Sequence, residues 1–199
     1  MANESSRREI LIASSALAGG AGAALIASCG GGGSKTNSTE TVSTIEMQND
    51  AAILATLLDL EASAEVAYEL IGRKVKGRAV ALAHRLRDQE LAHAQALRSL
   101  LPGLGEAAPA PKSAAEYEAT FPPLPDAHAA LAFALDVENT AIGAYADAIG
   151  KVVTDSVRGR LAAILATESE HAAVVLGQLG RPQAPAAFVT GPPPAQGSG

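Results

Sequence analysis

The sequence predicts an all-α protein, a four-helix bundle built from two repeated helical hairpins joined by a long crossover. Three observations predict it. Four segments carry apolar residues at spacings of three and four, the period of one helix face. The 199-residue chain is 48% hydrophobic, mostly Ala, Leu, Val and Ile, and only 3% aromatic; Ala and Leu are strong helix formers. The first pair of segments also recurs in the second. Leu58-Asp59-Leu60-Glu61 with Ala64, Ala67 and Tyr68 returns as Leu135-Asp136-Val137-Glu138 with Ala141, Ala144 and Tyr145. Glu90-x-x-His93 returns as Glu168-x-x-His171, at an offset longer by a single position.

Residues 1–28 read as an export address rather than part of the fold. Arg7-Arg8 precede an uncharged run from Ile10 to Ser28, a basic region followed by an apolar one. The twin arginine resembles a Tat signal. Ile26-Ala27-Ser28-Cys29 resembles a bacterial lipobox, in which cleavage precedes the cysteine and Cys29 carries lipid. The same run is long enough to span a bilayer, but Gly19, Gly20 and Gly22 make it weakly apolar. Residues 29–46, with Gly30 to Gly33 followed by Ser, Thr and Asn, read as a flexible tether reaching roughly 20–25 Å. The expected place is the outer face of the bacterial cytoplasmic membrane, with the membrane as partner through the Cys29 lipid.

The bundle is expected over residues 47–181. The first helix runs from about Gln48 to Gly72 on a stripe of Leu54, Leu57, Leu58, Glu61, Ala64, Tyr68 and Ile71. A basic turn, Arg73 to Lys76, leads to the second, with Leu82, Leu86, Glu90, His93 and Leu97 on one face. Pro102-Gly103 stops it. Residues 102–125 hold six prolines and form a connection long enough to run the length of the bundle, roughly 37 Å, with a short helix over 113–120. The third helix starts from an Asp126 cap and carries Leu131, Leu135, Glu138, Ile142 and Tyr145. The fourth runs from about Asp155 to Leu179, with Leu161, Ile164, Glu168, His171 and Val175, and Gly180-Arg181-Pro182 ends it. Residues 182–199, rich in Pro, Gly and Ala, read as a disordered tail.

Six residues carry the chemistry: Glu61, Glu90, His93, Glu138, Glu168 and His171. In each Glu-x-x-His, residues three apart share one helix face. The interval from Glu61 to Glu90 equals that from Glu138 to Glu168 to within a single position, and both midpoints fall in the turns. All six therefore meet at one level of the bundle. An ionised, unpaired carboxylate there costs several kcal/mol, and four together repel. Any one glutamate alone reads as a solvated residue; six in repeat-matched positions do not. Two divalent ions would bring four positive charges against four negative ones. Imidazole and carboxylate suit iron, manganese or zinc, and this ligand set is that of di-iron and di-manganese four-helix bundles.

On this motif the chain resembles the ferritin-like superfamily, and within it small exported ferritin-like proteins, over about residues 48–180. By that resemblance Glu90 and Glu168 would bridge or chelate two metal ions, most often iron. Glu61 with His93, and Glu138 with His171, would complete one ion each. The implied activity is a ferroxidase-like di-iron oxidoreductase acting on iron(II) with oxygen or peroxide as small oxidant. Whether the chain is an enzyme stays open. It lacks the cysteine pairs of a rubrerythrin-type electron-transfer domain, which counts against a built-in peroxidase chain. Rival readings are a non-catalytic envelope scaffold or stress protein, with a structural metal or none, and a manganese catalase-like activity.

The remaining candidates are weaker. Tyr68 and Tyr145, each two turns beyond its glutamate, either hydrogen-bond ligand carboxylates or carry a radical; the plainer and favoured reading is core filling with the hydroxyl satisfied. Glu65 is either an extra metal or access-path carboxylate or a bundle-edge residue. His84, His128 and Glu170 read as surface residues. The single Cys permits no intramolecular disulfide framework or cysteine metal site. A net charge of −6 argues against a nucleic-acid partner. A homodimer is compatible with the sequence; a closed cage would be hindered by tether and tail.

Overall fold

The computed structural model describes residues 42–188 and 190–191. The expected signal segment, Cys29 and most of the tether lie outside them. The described residues are helical, without strands: α1 Thr44–Gly72, α2 Arg78–Leu100, a 3₁₀ turn Leu101–Leu104, α3 Ala114–Glu118, α4 Ala127–Lys151 and α5 Asp155–Gln178. Among them no helix is long and apolar enough to cross a membrane.

The helix ends follow local chemistry. α1 begins earlier than expected, so residues 44–46 of the presumed tether are helical. The cause is a capping box: the Ser43 side chain accepts from the Glu46 N–H, and the Glu46 carboxylate accepts from the Ser43 N–H. Ser113 and Glu116 repeat the device at α3, and the Asp126 side chain caps α4. Gly77 closes the first hairpin with φ +60, a conformation glycine adopts without strain.

Two apolar clusters fill the interior, one at each end. At one end Leu54, Leu57 and Leu58 of α1 pack with Leu97 of α2, Ala148 of α4 and Leu161 and Ile164 of α5. At the other, Ile71 of α1 packs with Leu86 of α2, Ala130 and Leu135 of α4 and Val175 of α5. The start of α1 therefore lies with the ends of α2 and α4. The crossover runs the length of the bundle, as expected, and α4 starts at the end opposite to where α2 stopped. Tyr117 on α3 and Lys112 before it fasten the crossover to α1, both on Asp59, at 2.7 Å each.

Asp50 was not singled out by the sequence. It is 1% exposed, and its carboxylate accepts from the N–H groups of Val153 and Thr154 at 3.1 and 2.9 Å. It thus holds the turn that leads into α5 by its last two N–H groups and ties the second hairpin to α1. Beyond α5, residues 182–188 and 190–191 carry no helix. Gly191 lies so close to α4 that a Cβ there would sit 2.6 Å from Gly143 Cα. That part of the expected loose tail is packed.

Candidate metal centre

Between the two apolar clusters lies a polar layer. Glu61, Glu90, Glu138 and Glu168 are at most 1% exposed, His171 3% and His93 9%. The four helices bring all six to one level, each from mid-helix. They form two groups of four: Glu61, Glu90, His93 and Glu168, and Glu90, Glu138, Glu168 and His171. Within each group the ligand atoms lie within 4.8 Å of one another.

The oxygen assignment is regular. His93 Nδ1 faces Glu168 Oε1 at 2.8 Å, Glu90 Oε2 at 3.4 Å and Glu61 Oε2 at 3.7 Å. His171 Nδ1 faces Glu90 Oε1 at 3.1 Å, Glu138 Oε2 at 3.4 Å and Glu168 Oε2 at 3.4 Å. Glu90 and Glu168 therefore give one oxygen to each group, while Glu61 and Glu138 each serve one. The two imidazole rings stack, 5.8 Å apart and 21° from parallel.

These close approaches are not aligned hydrogen bonds. Glu61 Oε2, both oxygens of Glu90 and Glu168, Glu138 Oε2 and both Nδ1 atoms are buried without a hydrogen-bond partner. Buried polar atoms are nearly always satisfied. Eight that crowd together unaligned are what a shared cation would satisfy, and their donor chemistry fits iron, manganese or zinc.

The outer oxygens are taken. The Tyr68 hydroxyl donates to Glu138 Oε1 and the Tyr145 hydroxyl to Glu61 Oε1. Each tyrosine reaches the glutamate of the opposite hairpin, because α1 and α4 lie antiparallel side by side. Both tyrosines are buried, so each fills core space and has its hydroxyl satisfied by a candidate ligand. On the other side, His171 Nε2 lies 3.1 Å from Gln89 Oε1. No lysine or arginine among the described residues forms an ion pair with any of the six.

Without a cation, protons hold the cluster together. Burial pushes Glu61 up to about 8, against the pull of His93 and with added repulsion from Glu168 and Glu90. Burial likewise raises Glu138 well above the carboxylate range. Burial opposes an imidazolium, but the carboxylates of Glu168, Glu61 and Glu90 overcome it and raise His93 to about 11. Glu138, Glu168 and Glu90 do the same for His171, to about 12. Glu168 resists burial and falls to about 2, held by His171 and His93. Burial raises both tyrosines, with the nearby carboxylates adding to it.

The weaker candidates separate cleanly. Glu65 is half-buried in a groove lined by Leu91, Ala94, Arg98 and Tyr117, outside both ligand groups, which is the bundle-edge position. His84, His128 and Glu170 are exposed.

A model of the ferritin-like domain family matches residues 49–181. Among solved structures, that of a conserved hypothetical protein, rv2844, from Mycobacterium tuberculosis is similar in fold. The identity is 18% and the TM-score 0.58, over 66% of this chain and 98% of that one. No curated protein matches the chain in sequence.

Proposed function

We propose, from the premise that this chain belongs to the ferritin-like domain family, that its buried cluster binds two metal ions, iron foremost, and oxidises iron(II) with oxygen or peroxide. The observation that carries this reading is the convergence of eight buried, partnerless nitrogen and oxygen atoms into two groups. Bound there, the ions would supply one-electron redox chemistry toward the oxidant.

The chain's own residues do the rest. Glu90 and Glu168 would span both positions with their two oxygens. Glu61 with His93, and Glu138 with His171, would close one position each. Tyr68 and Tyr145 fix the terminal carboxylates by their outer oxygens and leave the inner ones free. Loading must displace the protons held by the imidazoles and by Glu61 and Glu138, so it releases acid. The apolar clusters above and below keep bulk water from the layer.

We propose further that the protein is exported and held at the outer face of the cytoplasmic membrane by lipid on Cys29. The twin arginine, the apolar run and the lipobox-like Ile26 to Cys29 support this. Anaerobic loading of the full chain with iron(II), followed by exposure to air, tests the activity. Oxygen uptake with growth of an iron(III) absorption band supports it; bound iron(II) that stays reduced under air and peroxide overturns the oxidase reading.

A second reading rests on a specific observation. The raised imidazole and glutamate pKa values let the cluster neutralise itself with protons. A helical scaffold that keeps the cluster without metal is therefore physically self-consistent. It predicts full folding and no metal uptake.

A further inference from the structure

We infer that the two metal positions are unequal and that Gln89 makes them so: the Glu138–His171 position fills first and tightly, and the Glu61–His93 position is the one that exchanges with solution. This rests on the dinuclear reading above.

The hairpin repeat makes the comparison internal. The four helices place two Glu-x-x-His units around one centre, so a structural difference between the halves is not a difference of ligand type. One difference stands out. Gln89 Oε1 accepts from His171 Nε2–H, at 3.1 Å. The repeat partner of Gln89, immediately before Glu168 as Gln89 is before Glu90, is Thr167. Its short side chain donates instead to Ala163 O of its own helix, at 3.3 Å. Among the described residues, the outer nitrogen of His93 has no counterpart of the partner that His171 has.

The chemical consequence follows from the tautomer. A ligating imidazole offers one nitrogen lone pair and carries its proton on the other nitrogen. A carbonyl oxygen at the outer nitrogen holds the proton there and fixes the ring plane. When His171 gives up a proton on loading, that keeps the remaining proton on Nε2 and frees the lone pair of Nδ1, the nitrogen that faces Glu90, Glu138 and Glu168. His93 has to select its tautomer and orientation on binding. Exposure runs the same way: the His93 side chain is 11% exposed against 3% for His171. The ring held by Gln89 is the better shielded of the two. Partners of this kind are worth about 10–100-fold in metal affinity.

The test is anaerobic iron(II) titration of the metal-free full chain by calorimetry, with anomalous diffraction at one equivalent to locate the ion. Expected are two steps at least tenfold apart, with the first ion beside His171. Gln89→Ala should weaken the first step by about 10–100-fold and leave the second. Thr167→Gln, which supplies the missing amide, should tighten the second and draw the steps together. Circular dichroism of both variants checks that they fold. Two equal steps, or a first ion beside His93, would overturn the inference while the dinuclear reading stood. An unchanged first step in folded Gln89→Ala would overturn the role of Gln89. No uptake at all would remove the dinuclear reading and this inference with it.

Discussion

The Tyr68 hydroxyl donates its hydrogen bond across the bundle to Glu138, which lies on the other hairpin. Tyr145 returns the bond to Glu61. These two bonds hold the terminal carboxylates in place from outside and link the halves of the repeat. Tyr68→Phe should keep the fold but leave Glu138 Oε1 buried without its partner. A stability loss of about 1–3 kcal/mol is expected in chemical denaturation. Metal affinity should fall by about 10–100-fold in calorimetry. Unchanged affinity would reduce the tyrosine to a core filler.

Metal-free stability should fall as pH rises above about 4.5. His93 and His171 have raised folded pKa values, so their contribution is full below about 6.5 and is lost as pH climbs through about 11 and 12. Glu61 acts with the same sign: its contribution is lost between the ordinary value of 4.5 and about 8. Glu138 follows it in direction. Glu168, lowered to about 2, opposes them only below 4.5. The chelated protein should therefore melt at a lower temperature at pH 8 than at pH 5. Iron(II) should restore stability at pH 8, where the ligands are easiest to deprotonate. Equal melting temperatures across this window would contradict the proton-held cluster.

Asp50→Ala tests a part of the fold apart from the chemistry. It removes the carboxylate that serves the Val153 and Thr154 N–H groups. The expected cost is about 1.5–3 kcal/mol, as for hydrogen bonds to a buried charged group. Metal stoichiometry should not change. Denaturant unfolding and metal analysis of the same sample separate the two effects.

The proposed lipid anchor makes a separate prediction. On the proposal that the chain is exported and lipidated at Cys29, Cys29→Ala should move it from the membrane fraction to the soluble envelope fraction, because a lipid adds about 0.8 kcal/mol per buried methylene. Protein that stays membrane-bound after export would point to a retained signal anchor.

The legible features are the ones carried by period and repeat. The four apolar stripes mark the helices, and the near-constant offset between the two hairpins places the six candidate ligands at one level. The crossover's direction followed from its length. The start of α1 was missed although its signal, Ser43-x-x-Glu46, lay in the sequence inside a stretch read as tether. Contacts between helices were not legible. One helix period says that Tyr68 shares a face with Glu61, not that its hydroxyl crosses to Glu138. Asp50 sits on an apolar stripe, but its partners are backbone groups of the second hairpin, far along the chain. Gln89 differs from a solvated glutamine only through the placement of His171 on another helix.

The central claim is that the six residues hold two metal ions. Metal analysis of the full chain, purified without chelators, tests it most directly beside Glu90→Ala/Glu168→Ala, which removes both shared carboxylates. The account predicts about two iron or manganese ions per chain, lost in the variant while helical content persists. Wild-type protein that stays metal-free after reconstitution, with both proteins equally folded, would contradict it.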